Sequence, residues 1–352
     1  MTATHSPSSA TPSSPPATTP VAINVYAATT SGDLSTVART ARTLVYVPNS
    51  ESDTVDVIDP RTYRVIRSFR TTATPQHVVP SWDLKTLWVN ESSGNHLTAI
   101  DPTTGRPVRR VAVADPYNLY FTPDGRSALV MAERLRRIDF RNPRTMTLQH
   151  SLRVPCKGVN HADFTADGSM FLASCEFSGN LIVVPADGTR VTKTISLSPS
   201  SMPQDVRLAP DGRTFLVADM ARGGVWLIDA HAFRVRGFVH TGAGAHGIYP
   251  SRDARDFYVS NRMAGSVSVL DASTLRVTTT WHLPGGGSPD MGGVSADGTQ
   301  LWLSGRYNSV VYVIDTRTGR LLHRIPVGRG PHGLCVWPQP GRYSLGHTGN
   351  MR

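Results

Sequence analysis

The chain has 352 residues, 39% of them hydrophobic, and no apolar run nears the ~20 residues of a membrane-spanning helix. Its net charge of +10 is carried by arginine, since Lys85, Lys157 and Lys193 are the only lysines among 36 basic residues. No basic run gathers on one stretch beyond Arg134, Arg136 and Arg137, which argues against nucleic acid as a partner.

Residues 1–22 are Ser, Thr, Pro and Ala with almost no large apolar side chain, so they are predicted to be a disordered tail. Ile23 to Ala28 (INVYAA) reads as a short strand, and the rest of 23–43 as a connector running over the main body of the chain or into it. No charged start followed by an apolar stretch marks a secretory signal, which sets a cytoplasmic expectation.

From Leu44 the chain repeats. Turn aspartates Asp83, Asp124, Asp167, Asp211, Asp253 and Asp297 are separated by 41, 43, 44, 42 and 44 residues. A β-rich run comes after each: LWVN (87–90), ALVM (128–131), FLAS (171–174), FLVA (215–218), FYVS (257–260) and LWLS (301–304), with LVYV (44–47) as a seventh. Third strands end near Asp59, Asp101, Asp139, Asp229, Asp271 and Asp315, and fourth strands come next, as in RVIRSFR (64–70). Four short strands per unit without a helix-length amphipathic stretch predict an all-β fold, a seven-bladed β-propeller of four antiparallel strands per blade. The first unit lacks its opening strand, while GPHGLCVWPQPG (330–341) is an opening strand with nothing after it. The C-terminal strand should therefore complete the first blade and close the ring. The propeller is placed at 44–340; GRYSLGHTGN (341–350), in the C-terminal tail 341–352, lies outside the repeat and receives no role.

FYVSN (257–261), with the turns TPDGR (122–126), APDGR (209–213) and SADGT (295–299), resembles the YVTN repeat of seven-bladed propellers, the YncE-like and cytochrome d1 haem-domain-like group. The resemblance covers about residues 44–340 and implies the fold more sharply than an activity. Such propellers include binding proteins, lactonases, lyases and haem-binding domains.

Opening residues of the innermost strands should face one mouth of the channel. Aligned on the turn aspartate they form two columns: Gln76, Tyr117, Asn160, Gln204, His246, Asp290, His332, and then His77, Asn118, His161, Asp205, Gly247, Met291, Gly333. Blade six, with the turn SRDARD, aligns only to within one residue. Histidine is the commonest metal ligand and a general base near neutrality, so this mouth could hold a metal, a haem or an anion. Against that, Pro-His-Gly at a blade entry often serves the turn, which suits His246 and His332. Sevenfold geometry should also spread His77, His161, His246 and His332 around the rim, too far apart for one ion without side chains reaching across. A second set on the same face is Asn49, Glu91, Glu133, Glu176, Asp219, Arg262 and Arg306, acids on one side and arginines on the other. It suits a ligand of both charges or an Arg-held carboxylate.

In blade four Cys156 and Cys175 should reach the same rim near His161 and Glu176, as a disulfide, as free thiols or as part of a Cys/His metal site. A disulfide there, like the family resemblance, would point to export instead of the cytoplasm. Cys335 should be buried on the closing strand. GxSxG, HExxH, P-loop and CxxCH motifs are absent.

Together these features read as a monomeric binding scaffold taking a small molecule or protein at the mouth, through His77, Asn118, His161, Asp205, His246, His332, Glu91, Glu133, Glu176, Arg262 and Arg306. The alternative is an enzyme, a metal-dependent lyase or lactonase with His161 and Glu176 as candidate ligands of a divalent metal. A haem- or copper-binding redox protein is the third reading.

Overall fold

Each repeat reverses at a turn held by an aspartate. Asp124 accepts from the Thr122 hydroxyl at 2.6 Å and the Arg126 N–H at 3.0 Å, while Gly125 sits at φ 68°, where a side chain is disfavoured. In blade six Ala254 takes the same left-handed turn, φ 56°, and Asp253 accepts from Ser251 and Arg255. SRDARD is thus an Asp-Gly turn in geometry, and its blade aligns with the others without an offset.

These turns belong to a computed structural model that describes residues 1–2 and 23–352. The predicted tail at 1–22 lies almost wholly outside the described residues. Seven four-stranded antiparallel sheets succeed one another, as the repeat predicted. The inner strands are Pro75–Pro80, Asn118–Phe121, Val159–Phe164, Pro203–Leu208, Ala245–Pro250, Pro289–Val294 and Cys335–Trp337. Middle strands such as Leu87–Glu91 and Thr214–Asp219 are buried throughout, because neighbouring blades cover both faces. Outer strands such as Arg64–Arg70 and Arg106–Ala112 are mostly exposed, which explains their arginines.

Cys335–Trp337 closes the ring. It pairs antiparallel with Leu44–Asn49, setting Leu44 opposite Trp337 and Tyr46 opposite Cys335. Both Cys335 and Trp337 are fully buried, and burial pushes the Cys335 thiol well above its usual range. No inner edge is left to pair with another chain.

Two segments outside the repeat seal the end of the channel opposite the mouth. Ile23–Ala28 is a turn, which corrects the expected strand. Asn24 Oδ1 accepts from the Tyr26 N–H at 2.9 Å, a local side-chain bond that holds the turn in place of a strand ladder. Tyr26 is buried there, donating from its hydroxyl to Leu208 O at 2.8 Å. The connector contains a short helix, Thr36–Arg39, capped by Ser35. Among the described residues no helix is long and apolar enough to cross a membrane.

The C-terminal residues form a hairpin inserted into the channel. Ser344 bridges Met351, and Leu345 N–H donates to Asn350 O at 2.7 Å. It rises along the inner strand of blade three, accepting from Phe121 N–H at Leu345 O and donating from His347 N–H to Leu119 O, each at 2.9 Å. Gly346, at φ 105°, lies so close to this strand that a Cβ would collide with Leu119 O. The hairpin is locked by Arg352, whose guanidinium meets both oxygens of buried Asp163 at 2.8 and 2.9 Å.

Candidate functional site

Five inner strands carry a one-residue bulge where the two columns lie. In blade four Val159 pairs with Cys175 and Ala162 with Ala173, so Asn160 and His161 together oppose Ser174. A bulge re-aims side chains and breaks strict alternation, which lets two consecutive residues serve one site. Ser174 stitches it, donating to Asn160 Oδ1 at 2.8 Å and accepting from His161 N–H at 3.2 Å.

His77, Asn118, His161, Asp205, His246 and His332 are all buried at the axis. The expectation that the histidines spread around the rim is corrected. Ring centroids lie 4.7 Å apart for His77–His332, 5.7 Å for His77–His161, 6.2 Å for His161–His246 and 5.8 Å for His246–His332. The channel is narrow: the segment leading into the inner strand of blade one bonds the inner strand of blade two, with Val78 N–H donating to Gly333 O at 3.0 Å. Inward side chains therefore meet at the centre. His347, from the tip of the C-terminal hairpin, adds a fifth imidazole, 5.2 Å from His77 and 5.0 Å from His161. Rings this close leave no slot for a planar tetrapyrrole between them.

Hydrogen bonds assign the tautomers. His77 Nδ1–H donates to Tyr117 O at 2.9 Å, and His332 Nδ1–H to Gln76 O at 3.2 Å. His332 thus bonds backbone, as a turn residue would, but the carbonyl belongs to the next blade. His161 Nδ1–H donates to Asn160 Oδ1 at 3.0 Å, and the orientation of that amide is set by its Nδ2 donating to Glu176 at 2.7 Å. Burial holds all five imidazoles neutral, with His77 pulled down to about 3 and the others well below their usual value. His246 serves no turn carbonyl; its Nδ1 is 3.0 Å from Asp290 Oδ1 without the alignment of a hydrogen bond. Asp290 instead accepts from Arg262 Nη2 at 2.6 Å.

The second set divides. Glu91 turns into its own blade, bonded to the Thr72 and Thr98 hydroxyls. Asp219 accepts from Trp226 Nε1 at 2.8 Å, and Asn49 donates to Asp56 at 2.9 Å, so both are structural. Glu133, Glu176 and Arg306 stay half-buried at the mouth. Arg306 donates to Ser50 Oγ at 2.8 Å and Gly330 O at 2.9 Å; among the described residues it pairs with no carboxylate. His161 and Glu176 are linked through Asn160 and do not touch directly. Beside them Cys156 and Cys175 are joined as a disulfide.

Burial and then the charge of Glu176 raise Glu133 to about 8, so it is protonated at neutral pH. The unfolded chain loses this proton above about pH 4.5 while the folded one keeps it to about 8, so this group lowers stability progressively as pH rises across that window. Glu133→Gln should flatten that fall and stabilise the protein above pH 8 by about 2 kcal/mol, after discounting for the open side of the mouth. Melting temperature against pH for the two proteins checks it.

Column alignment found the inner-strand histidines because each blade repeats. It missed His347, whose GHTG context lies outside any repeat and belongs to no strand. It also passed over Asn160 and Asp290 as site residues, although both stood in the outer column.

Solved structures place this architecture among known propellers. The chain is 18% identical to Kuenenia stuttgartiensis hydrazine synthase, with TM-score 0.65, over 80% of this chain and 94% of that one. A functionally unknown protein from Desulfotomaculum acetoxidans gives 14% identity and TM-score 0.71, over 85% and 100%. The dihydro-heme d1 dehydrogenase NirN gives 16% and 0.62, over 84% and 75%. At such identities the likeness is one of fold alone. No curated protein matches the sequence. Residues 12–341 match the family described as YNCE-like beta-propeller. With that span and seven closed blades, the chain belongs to the YncE-like β-propeller family.

Proposed function

We propose that the protein is a binding propeller whose mouth captures a small molecule bearing a carboxylate. The observation that carries this is Arg306, a half-buried guanidinium at the mouth with no carboxylate partner among the described residues. Arginine's planar fork suits a carboxylate, and partial burial strengthens such a bond. Across the mouth, protonated Glu133 offers an O–H donor and Glu176 an acceptor, which suits a polar group at the ligand's other end. Tyr307, Phe177 and Met263, 67%, 60% and 71% exposed, offer apolar surface around it. The Cys156–Cys175 bridge fits an oxidising compartment.

Calorimetric titration with acetate, succinate, benzoate and glutamate tests the reading. At least one should bind saturably, and Arg306→Gln should weaken it by roughly 10- to 100-fold, the value of a charged hydrogen bond. Saturable binding by none of them, or unchanged affinity in a folded Arg306→Gln protein, removes the proposal. An enzyme remains the second reading, favoured by one observation: Glu133 and Glu176 share Asn160 while one of them is held protonated, the separation of roles that acid–base catalysis requires.

A further inference from the structure

Beneath the mouth, three nitrogen atoms buried at the channel axis have no hydrogen-bond partner among the described residues: Nε2 of His77, His161 and His347. All three residues are 0% exposed. A buried polar atom without a hydrogen bond costs about 1–3 kcal/mol, so three together call for an occupant. We propose that His77, His161 and His347 form a transition-metal site, two ligands coming from the inner strands of blades two and four and the third from the C-terminal hairpin.

The geometry suits it. One ring nitrogen from each of the three lies within 4.8 Å of the other two. An ion at their centre would then need each nitrogen to close in by at most about 0.7 Å to reach a bond of about 2.1 Å. Metal-binding imidazoles usually donate their other N–H to an oxygen that fixes the ring, and His77 does so to Tyr117 O and His161 to Asn160 Oδ1. His347 Nδ1 lies 3.0 Å from the side-chain nitrogen of Asn118. That amide's Oδ1 accepts from Leu119 N–H at 2.9 Å, so ligation through His347 Nε2 requires the amide to turn over and give up that bond, moving the imidazole proton to Nδ1.

Charge and ligand type narrow the class. An imidazole ligates in its neutral form through a nitrogen that carries no proton. Three nitrogen donors suit zinc, copper or nickel and not magnesium or calcium, which prefer oxygen. Asp205 Oδ1 lies 3.7 Å from His347 Nε2, and Arg207 at 3.4 Å already offsets its charge. Three protein ligands leave a fourth position open. A second trio, His246, Asp290 and His332, also converges, but Asp290 is already neutralised by Arg262 at 2.6 Å. The inserted hairpin thereby gains a role beyond sealing the channel.

The test uses the full chain produced without an affinity tag, stripped by chelator and titrated with Zn2+ or Co2+ alone. One equivalent should bind, and Co2+ should give visible d–d bands. His347→Ala should weaken binding by at least about 100-fold, since outer-shell partners alone are worth 10–100-fold, and Asn118→Leu should weaken it by about 10-fold. His282→Ala, at an exposed position, should change nothing. Absence of saturable binding and of d–d bands in the wild-type chain overturns the proposal. Wild-type affinity in His347→Ala also overturns it, and should that variant fail to fold, the wild-type Co2+ titration decides alone.

Discussion

A chain ending at residue 329 is expected not to fold cooperatively. The deletion removes Cys335–Trp337, so Leu44–Asn49 loses its inner partner along Leu44, Val45 and Tyr46. It also removes buried Trp337, and truncating a core tryptophan alone costs about 3–5 kcal/mol. Asp163 would lose Arg352 and Asn350 together, and stranding a buried charge costs a similar 3–5 kcal/mol. Whole domains are stable by only about 5–15 kcal/mol, so these losses together are enough to unfold the chain. Circular dichroism melting is the measurement. A truncated protein with the full-length melting temperature would show that the ring does not depend on its last strand.

A large effect from a single substitution is expected for Arg352→Ala. Asp163 is fully buried, and Arg352 meets both of its oxygens with a side chain only 10% exposed. Three other donors remain on the carboxylate, from Asn350 and the N–H groups of Phe164 and Leu208, which places the loss near the low end, about 3 kcal/mol. For a chain of this length that is a fall of roughly 5 °C in melting temperature. Asp163→Asn combined with Arg352→Leu should cost less than the two single changes added, because neither partner is then left as an unpaired charge. Strict additivity in denaturant titrations would mean that the pair does not lock the hairpin.

The proposed carboxylate site and the proposed metal site can fail separately. Arg306 and Glu133 lie at the mouth, whereas His77, His161 and His347 lie below it among fully buried neighbours. Loss of one function in Arg306→Gln and of the other in His347→Ala would keep the two apart.

Periodicity alone determined the fold: aspartate turns spaced about one blade apart, with β-rich runs after each, leave few alternatives to a propeller. An opening strand missing at one end and spare at the other also determined the closure. The same repeat named His77, His161, His246 and His332 as residues of one rim, since equivalent positions in a ring face the same way. Sequence could not set how far inward they reach, because that depends on the radius of the closed ring and on bulges that send two consecutive side chains to the axis. Nor could it tell Glu91, consumed by threonines of its own blade, from Glu133 at the open mouth. His347 was out of reach altogether. Its place among the histidines comes from a hairpin outside the repeat, held by contacts with Leu119, Phe121 and Asp163 that are distant in sequence and meet only once the ring has closed.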